Sequence, residues 1–244
     1  MTVHCDLHIH SALSPCGEER MTPNNIVNMA FVAGLEMIAL TDHNTCGNCR
    51  AAIEVGRRVG VAVIPGMELT TQEDAHVLCL FPHIDAAEEF EHTVVRPQRM
   101  QIKNRPEIFG RQLFMNAEDE ITGEEENLLI PATGIDAYAV QSLCRKFGGA
   151  AIPAHIDKES NSLLAALGFI DADMRFPVCE ITPRCDENAL RTAHDELRDT
   201  VFIRNSDAHD LGPIGTNEGT LELAKADAES AVNRFFHLIN GGGQ

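Results

Sequence analysis

Asp6-Leu7-His8-Ile9-His10-Ser11 closes the chain's first apolar run, Val3–Leu7, and the way that run ends decides the fold. Side chains on a strand alternate with a period of two, so His8 and His10 face one side and can chelate one ion together. The same kind of ending recurs along the chain. Asp42-His43 follows Met37–Thr41, Glu68 lies beyond Val61–Pro65, His76 stands beside Val77–Phe81, and His155 follows Ala150–Ala154. Asp207-Ala208-His209 follows Val201–Asn205 and repeats the paired geometry of the first strand. Imidazoles and carboxylates at the carboxyl ends of successive strands converge on one face of a β/α barrel. Hard-to-borderline metal ions take that donor set. Six such clusters in register predict a multinuclear metal centre. In it Glu68 offers two oxygens to bridge two ions, and His76 and His155 complete the second ion's shell.

A chain of 244 residues with 44% hydrophobic content can bury a sizeable core as one α/β barrel. Apolar runs that read as buried parallel strands alternate with amphipathic stretches, the pattern of repeated strand-helix-strand units. No run approaches the roughly 20 apolar residues of a membrane span, so no membrane partner is expected. The chain enters a strand at Met1-Thr2-Val3, which leaves no room for a signal peptide, and the expected location is cytoplasmic. A net charge of −18 disfavours long duplex nucleic acid as a partner. It does not disfavour a small phosphate compound, because bound divalent ions would dominate the local field.

Between the clusters, Thr22-Pro23 opens a helix that stops near Gly34, and a second helix runs from about Asn48 to Arg58 with Gly60 behind it. The rhythm breaks after Pro82. Residues 83–133 are polar and show no clear strand, and they are expected to form an insertion over one end of the barrel. Its first half carries Arg96, Arg99, Lys103, Arg105 and Arg111, while six of the nine residues from Glu118 to Glu126 are acidic. The basic residues could hold a phosphate, or the two halves could pair with each other. Alternation resumes with a helix at Asp136–Lys146, a strand at Gly149–Ala154, a helix at Ser162–Leu167 and a strand at Pro177–Ile181. A helix at Glu187–Leu197, a strand at Val201–Asn205 and an amphipathic helix at about Ala224–Leu238, expected on the barrel exterior, complete the chain. Gly241–Gln244 reads as a frayed tail. With no repeat and no linker, residues 1–244 are expected to form a single domain.

The strings Asp6-Leu7-His8-Ile9-His10-Ser11, Thr41-Asp42-His43-Asn44, Gly66-Met67-Glu68, Pro153-Ala154-His155 and Ser206-Asp207-Ala208-His209 together resemble the polymerase and histidinol phosphatase (PHP) family. The resemblance covers most of the chain outside 83–133. It implies a distorted (β/α)7 TIM-like barrel holding two or three zinc, manganese or iron ions and hydrolysing phosphoesters. It places His8, His10, Glu68 and Asp207 on a first ion, Glu68, His76 and His155 on a second, and His43 and His209 on a third. Asp42 would orient a neighbour. Glu68, His155 and Asp207 are the expected catalytic residues, and a hydroxide bridging two ions is the expected nucleophile. Lys158, three residues beyond His155, and Arg184, just after a strand, are candidate phosphate holders.

The chain departs from the family at one place. Many members carry Ser-Asp-Gly after the first motif, whereas Ser14-Pro15-Cys16-Gly17 stands here, so Cys16 is a candidate thiolate ligand for the third ion. Cys46-Gly47-Asn48-Cys49 follows Asp42-His43-Asn44 at the expected mouth of the cleft, and such a pair can bind metal or cycle between dithiol and disulfide. Cys79, Cys144 and Cys179 sit in apolar contexts and read as core residues. Two kinds of function are therefore in view. The first is a metal-dependent phosphoesterase acting on a nucleotide, a short RNA end or another small phosphate compound. The alternative is a redox-sensing, metal-sensing or cluster-assembly accessory protein that uses Cys16, Cys46 and Cys49. A proofreading exonuclease partner of a polymerase is a third and weaker reading.

Overall fold

The computed structural model describes residues 2–216, 219–222 and 228–239. Its strands are β1 (Thr2–Ile9), β2 (Met37–Leu40), β3 (Ala62–Thr70), β4 (His76–Leu80), β5 (Leu113–Met115), β6 (Ile121–Glu124), β7 (Ala150–Pro153), β8 (Cys179–Ile181), β9 (Phe202–Arg204) and β10 (Thr220–Glu222). The helices are α1 (Pro23–Val32), α2 (Cys49–Val59), α3 (Ile84–Phe90), α4 (Pro106–Phe109), α5 (Ala137–Lys146), α6 (Leu163–Leu167), α7 (Glu187–Ala193) and α8 (Ala228–Ile239). Six strands hydrogen-bond in the order β10-β1-β2-β3-β4-β7, and β8 and β9 form a separate parallel pair. A bridge from Ile9 to Ala208 ties β1 to the segment after β9, and the Ile156 N–H donates to the Glu180 carbonyl across the exit of β7. The result is a distorted α/β barrel. No helix among the described residues is long and apolar enough to cross a membrane.

The local signals act as read. Thr22 accepts from the Asn25 N–H at 3.2 Å and Pro23 fills the first helical position of α1. Gly60 ends α2 with φ 87°, a left-handed conformation that glycine adopts without strain. The nine residues of β3 are all buried, as a strand covered on both faces requires.

Three expectations need correction. The first concerns the run beside His76, expected as one of a series of parallel strands. β4 pairs antiparallel with both β3 and β7, in register Thr70 with His76 and Val77 with Pro153. His76 is therefore the amino-terminal residue of its strand, and it reaches the common rim because the strand runs backwards. The cause is the connection. Thr71 to Ala75 is a tight turn in which the Thr71 N–H donates to the Ala75 carbonyl at 2.8 Å, too short for the crossover a parallel neighbour demands.

The second concerns α8. Its Val232, Phe235, Phe236 and Ile239 pack with Met37, Ala39, Ala62 and Ile64. The alternate residues Ile38, Leu40 and Val63 pack with Ile26 and Val27 of α1 and Ala52 and Val55 of α2. The last helix thus covers the opposite sheet face from α1 and α2 instead of joining them outside. Residues 223–227 and the tail from 240 onward lie outside the described residues.

The third concerns the insertion. It contains α3, a π-turn at Glu91–Val95, a short 3-10 turn at Arg96–Gln98, α4 and the β5–β6 hairpin. Strands of three and four residues are too short to show an alternation in sequence. Two asparagines anchor the insertion beside the barrel rim. Asn48 donates to the Leu113 carbonyl and accepts from the Met115 N–H. Asn44, at φ 53°, donates to the carbonyls of Leu129 and Pro131 and accepts from the Thr70 N–H. Asn44→Ala strands two buried backbone partners and one part-buried one, and the expected cost is about 1–3 kcal/mol, read by denaturant unfolding. An unchanged midpoint would show that the insertion is held elsewhere.

Candidate metal centre

Five imidazoles from four strands close on the two oxygens of Glu68, which is buried in β3. His8 Nε2, His76 Nδ1 and His155 Nε2 lie 3.2, 2.8 and 3.2 Å from Oε1, and His10 Nε2 and His43 Nδ1 lie 3.4 and 3.0 Å from Oε2. Asp207 Oδ1 stands 3.3 Å from His8 Nε2 and 3.4 Å from His10 Nε2. His209 stacks on His10 with centroids 4.2 Å apart. Every expected histidine ligand is brought into one pocket.

The donors fit divalent ions. Ligand atoms of three groups, His8-His10-Asp207, His43-Glu68-His76 and His10-His43-His209, lie within 4.8 Å of one another. His8 Nε2 and His10 Nε2 face each other at 3.2 Å, and among the described residues the buried His76 Nε2 and His155 Nδ1 have no hydrogen-bond partner. Buried polar atoms left in this way are what a cation-binding pocket presents. His155 and Asp207 also hold left-handed backbones, φ 31° and 51°, and such strain collects at functional sites. The geometry departs from the expected grouping at two residues. His155, expected with Glu68 and His76, belongs to none of the three groups, although its Nε2 lies 3.2 Å from Glu68 Oε1. His43 was expected with the third ion only, yet it also forms a group with Glu68 and His76.

Electrostatics drives neighbouring groups apart. Burial opposes ionisation of Glu68, but the imidazoles of His76, His8 and His43 hold its carboxyl well below the usual range. Burial likewise opposes Asp207, and His8 and His10 hold it low. Burial disfavours the charged form of His8, yet Glu180, Asp207 and Glu68 push it well above its ordinary value. Burial and the adjacent His209 push His10 well below.

An outer ring orients these ligands. Asp42 accepts from the Ser11 N–H, the Ser11 hydroxyl and the Ser14 hydroxyl at 2.6–2.7 Å. Ser14 in turn stands 3.0 Å from His10 Nδ1. The carboxylate thus reaches His10 through a serine. Glu180 and Asn205, which sequence reading passed over, lie in the same ring. Both oxygens of Glu180 meet His8 Nδ1, at 3.1 and 3.0 Å. Its one sequence signal was a lone carboxylate inside the apolar run Pro177–Ile181, which carries no spacing to a partner.

The remaining candidates scatter. Lys158 is at the pocket, its Nζ 2.6 Å from Asp207 Oδ2. Arg184 is exposed on the loop between β8 and α7. Arg96 and Arg99 pair with Glu91, Arg99 also with Glu125, and Arg111 with Glu124 and Glu19, so these basic residues neutralise acidic neighbours. Arg105 lies over the Phe109 ring. Cys16 is exposed and belongs to none of the ligand groups among the described residues. Cys46 and Cys49 do not face the cleft. Both lie in the hydrophobic core as free thiols, Cys46 donating to Glu91 and Cys49 to the carbonyls of Leu40 and Gly66. Burial raises both thiols far above the ordinary cysteine range, which keeps them protonated and poor nucleophiles. Cys79, Cys144 and Cys179 are buried as expected.

Fold and pocket together define a distorted α/β barrel that gathers imidazoles around a buried carboxylate at one rim. The PHP domain family model matches residues 6–242, and the chain belongs to that family. The phosphoribosyl 1,2-cyclic phosphate 1,2-diphosphodiesterase of Eggerthella lenta is 35% identical over 68 residues, 28% of this chain and 25% of that protein. The 5'-3' exoribonuclease Rnm of Salmonella typhimurium is 32% identical over 135 residues, 53% of this chain and 43% of that protein. The matched segments thus span well under two thirds of these relatives. Endonuclease Q, solved with a 27-mer duplex substrate bearing an abasic lesion, superposes with a TM-score of 0.69 at 19% identity over 100% of this chain and 57% of its own. At that identity the likeness is one of fold.

Proposed function

We propose that this protein is a metal-dependent phosphoesterase that hydrolyses a small phosphate compound, a nucleotide or a short RNA end. The observation that carries the reading is the convergence of five imidazole nitrogens on the two oxygens of Glu68, within 2.8–3.4 Å. Two or three zinc, manganese or iron ions held there would supply Lewis acidity toward phosphoryl oxygens and lower the pKa of water toward neutrality.

The chain's own residues divide the work. His8, His10 and Asp207 hold one position, and Glu68, His76, His43 and His155 hold another across the shared carboxylate. His10, His43 and His209 offer a third. Lys158 sits at the rim with its ammonium on Asp207, where it can turn to a substrate phosphate. Arg184 is a further exposed cation on the loop following β8, which carries Glu180. The acidic surface speaks against long duplexes, whereas the fold is shared with an endonuclease solved on a duplex, so duplex belongs in the substrate panel. The accessory-protein alternative draws no support from Cys46 and Cys49 in the core.

The test is phosphate or nucleotide release from manganese- or zinc-loaded protein against phosphomonoesters, phosphodiesters, short RNA and duplex DNA, with His155→Ala alongside. Turnover in the wild type that falls by two orders of magnitude or more in the variant is expected, about the size of losing one electrostatic stabiliser. Protein that demonstrably holds metal and turns over nothing in the panel would sink the proposal.

A further inference from the structure

We propose that Glu180 is a positioning residue that holds ligands of two ion positions at once, an inference that rests on the metal-centre reading above. Glu180 lies in the middle of β8, 2% exposed, with Cys179 and Ile181 in the core on either side. Four contacts converge on its carboxylate. His8 Nδ1 meets both oxygens, the Asn205 amide donates to Oε1 at 3.1 Å, and the His155 backbone N–H donates to Oε2 at 3.1 Å. No lysine or arginine is among them. A buried carboxylate without a cation is costly unless charge reaches it from elsewhere.

The geometry supplies a route. A proton on His8 Nδ1 directed at Glu180 turns Nε2 toward Glu68, His10 and Asp207, so the imidazole stands between the carboxylate and a cation at the pocket. Carboxylate–histidine–metal relays of this type raise ligand basicity and fix ring orientation. The second contact is on the backbone. His155 holds φ 31°, a conformation a histidine does not adopt freely, and the bond from its N–H to Glu180 helps keep it there. That residue presents Nε2 to Glu68 Oε1 at 3.2 Å. The His8 and His155 rings stack, centroids 5.8 Å apart. One carboxylate therefore sets the His8 ring, which faces Asp207 and Glu68, and the backbone of His155, whose ring faces Glu68. Asn205 extends the arrangement, because its Oδ1 accepts from the Leu7 N–H at 2.8 Å and ties β1 to the segment after β9.

The test uses the full chain as wild type, Glu180→Gln and Glu180→Asp. Each is stripped with chelator, checked for folding by far-ultraviolet circular dichroism, and titrated with cobalt(II) followed by its visible absorption. Glutamine keeps the size and one acceptor oxygen but removes the charge, so a packing role alone predicts unchanged binding. The expected result is a roughly 10- to 100-fold weaker affinity at both positions with an altered cobalt spectrum. Glu180→Asp, which keeps the charge but shortens the reach, recovers part of the affinity. Folded Glu180→Gln that binds with wild-type affinity and spectrum overturns the assignment, as does weakening confined to one position. Should the glutamine variant not fold, Glu180→Asp decides, with wild-type binding counting against and weakening at both positions counting for. Failure of the wild type itself to take up cobalt, zinc or manganese defeats the metal-centre reading, an outcome distinct from either variant result.

Discussion

Glu68→Gln is expected to lose ion binding at both positions that share its carboxylate, and with it turnover. Among the described residues, Glu68 is the one group in contact with His8, His10, His43, His76 and His155 together. Removing its charge leaves five imidazoles crowded on a neutral amide whose NH2 end can only donate, against nitrogens that must also stay unprotonated to ligate. The loss in affinity exceeds the roughly 10- to 100-fold that loss of an outer partner costs. Elemental analysis after dialysis reads it directly. His209→Ala provides the contrast, since His209 belongs only to the group with His10 and His43. It removes at most one ion. Equal metal content in Glu68→Gln and wild type would remove Glu68 from the centre of the site.

The second large effect concerns stability. Glu91 is buried where the insertion meets the barrel, and its Oε2 accepts from the Thr45 hydroxyl, the Cys46 N–H and the Cys46 thiol. Its Oε1 accepts from Arg96 and Arg99 at 3.0 and 2.5 Å. Arg99 is itself nearly buried, so Glu91→Ala leaves an internal guanidinium with only its longer 3.6 Å pair to Glu125. The expected cost is about 3–5 kcal/mol. For a chain of this size that is a fall in Tm of roughly 6–20 °C.

The pH dependence carries a definite sign. Burial opposes ionisation of Glu91, but Arg99, the Cys46 N–H and Arg96 hold its carboxyl below the usual range. Its contribution is therefore fully present above the unfolded value of about 4.3 and is lost as pH falls through the folded value. Glu91→Gln should flatten that part of the acid limb of the stability curve. A Tm within about 2 °C of wild type for Glu91→Ala would show that the existing Glu125 pair and water satisfy Arg99 at little cost.

Local rules operate on neighbours along the chain, and the parts of this protein set by neighbours were legible. The helix start at Thr22-Pro23, the stop at Gly60 and the apolar runs of β1, β2, β3 and β7 all fall within a few residues of where they were read. The His8-Ile9-His10 pair announced the pocket, because a spacing of two on a strand is itself a geometry, whereas Asp207 and His209 lie beyond β9, with Asp207 at φ 51°, and fall in different ligand groups instead of repeating that pair. Membership of the PHP family followed from the order of those motifs, and residues 6–242 bear it out.

What required the third dimension is whatever joins residues far apart or reverses direction. Strand polarity is invisible in a composition pattern, so only the turn from Thr71 to Ala75 showed that the strand beginning at His76 runs antiparallel. Exposure is equally hidden: Cys46 and Cys49 stand two and five residues beyond Asn44, yet their thiols point into the core while Asn44 anchors the rim. The arginines of the insertion could not be told from phosphate holders until Glu91, Glu124 and Glu125 were seen beside them. Glu180 is the clearest case. One carboxylate in an apolar strand has no meaning in sequence, because its meaning lies in His8, His155 and Asn205, which are 172, 25 and 25 residues away. Sequence alone determined which imidazoles and carboxylates stand near strand ends; tertiary structure decided which of them meet, since only chain reversal and buried pairing bring distant donors within hydrogen-bond reach.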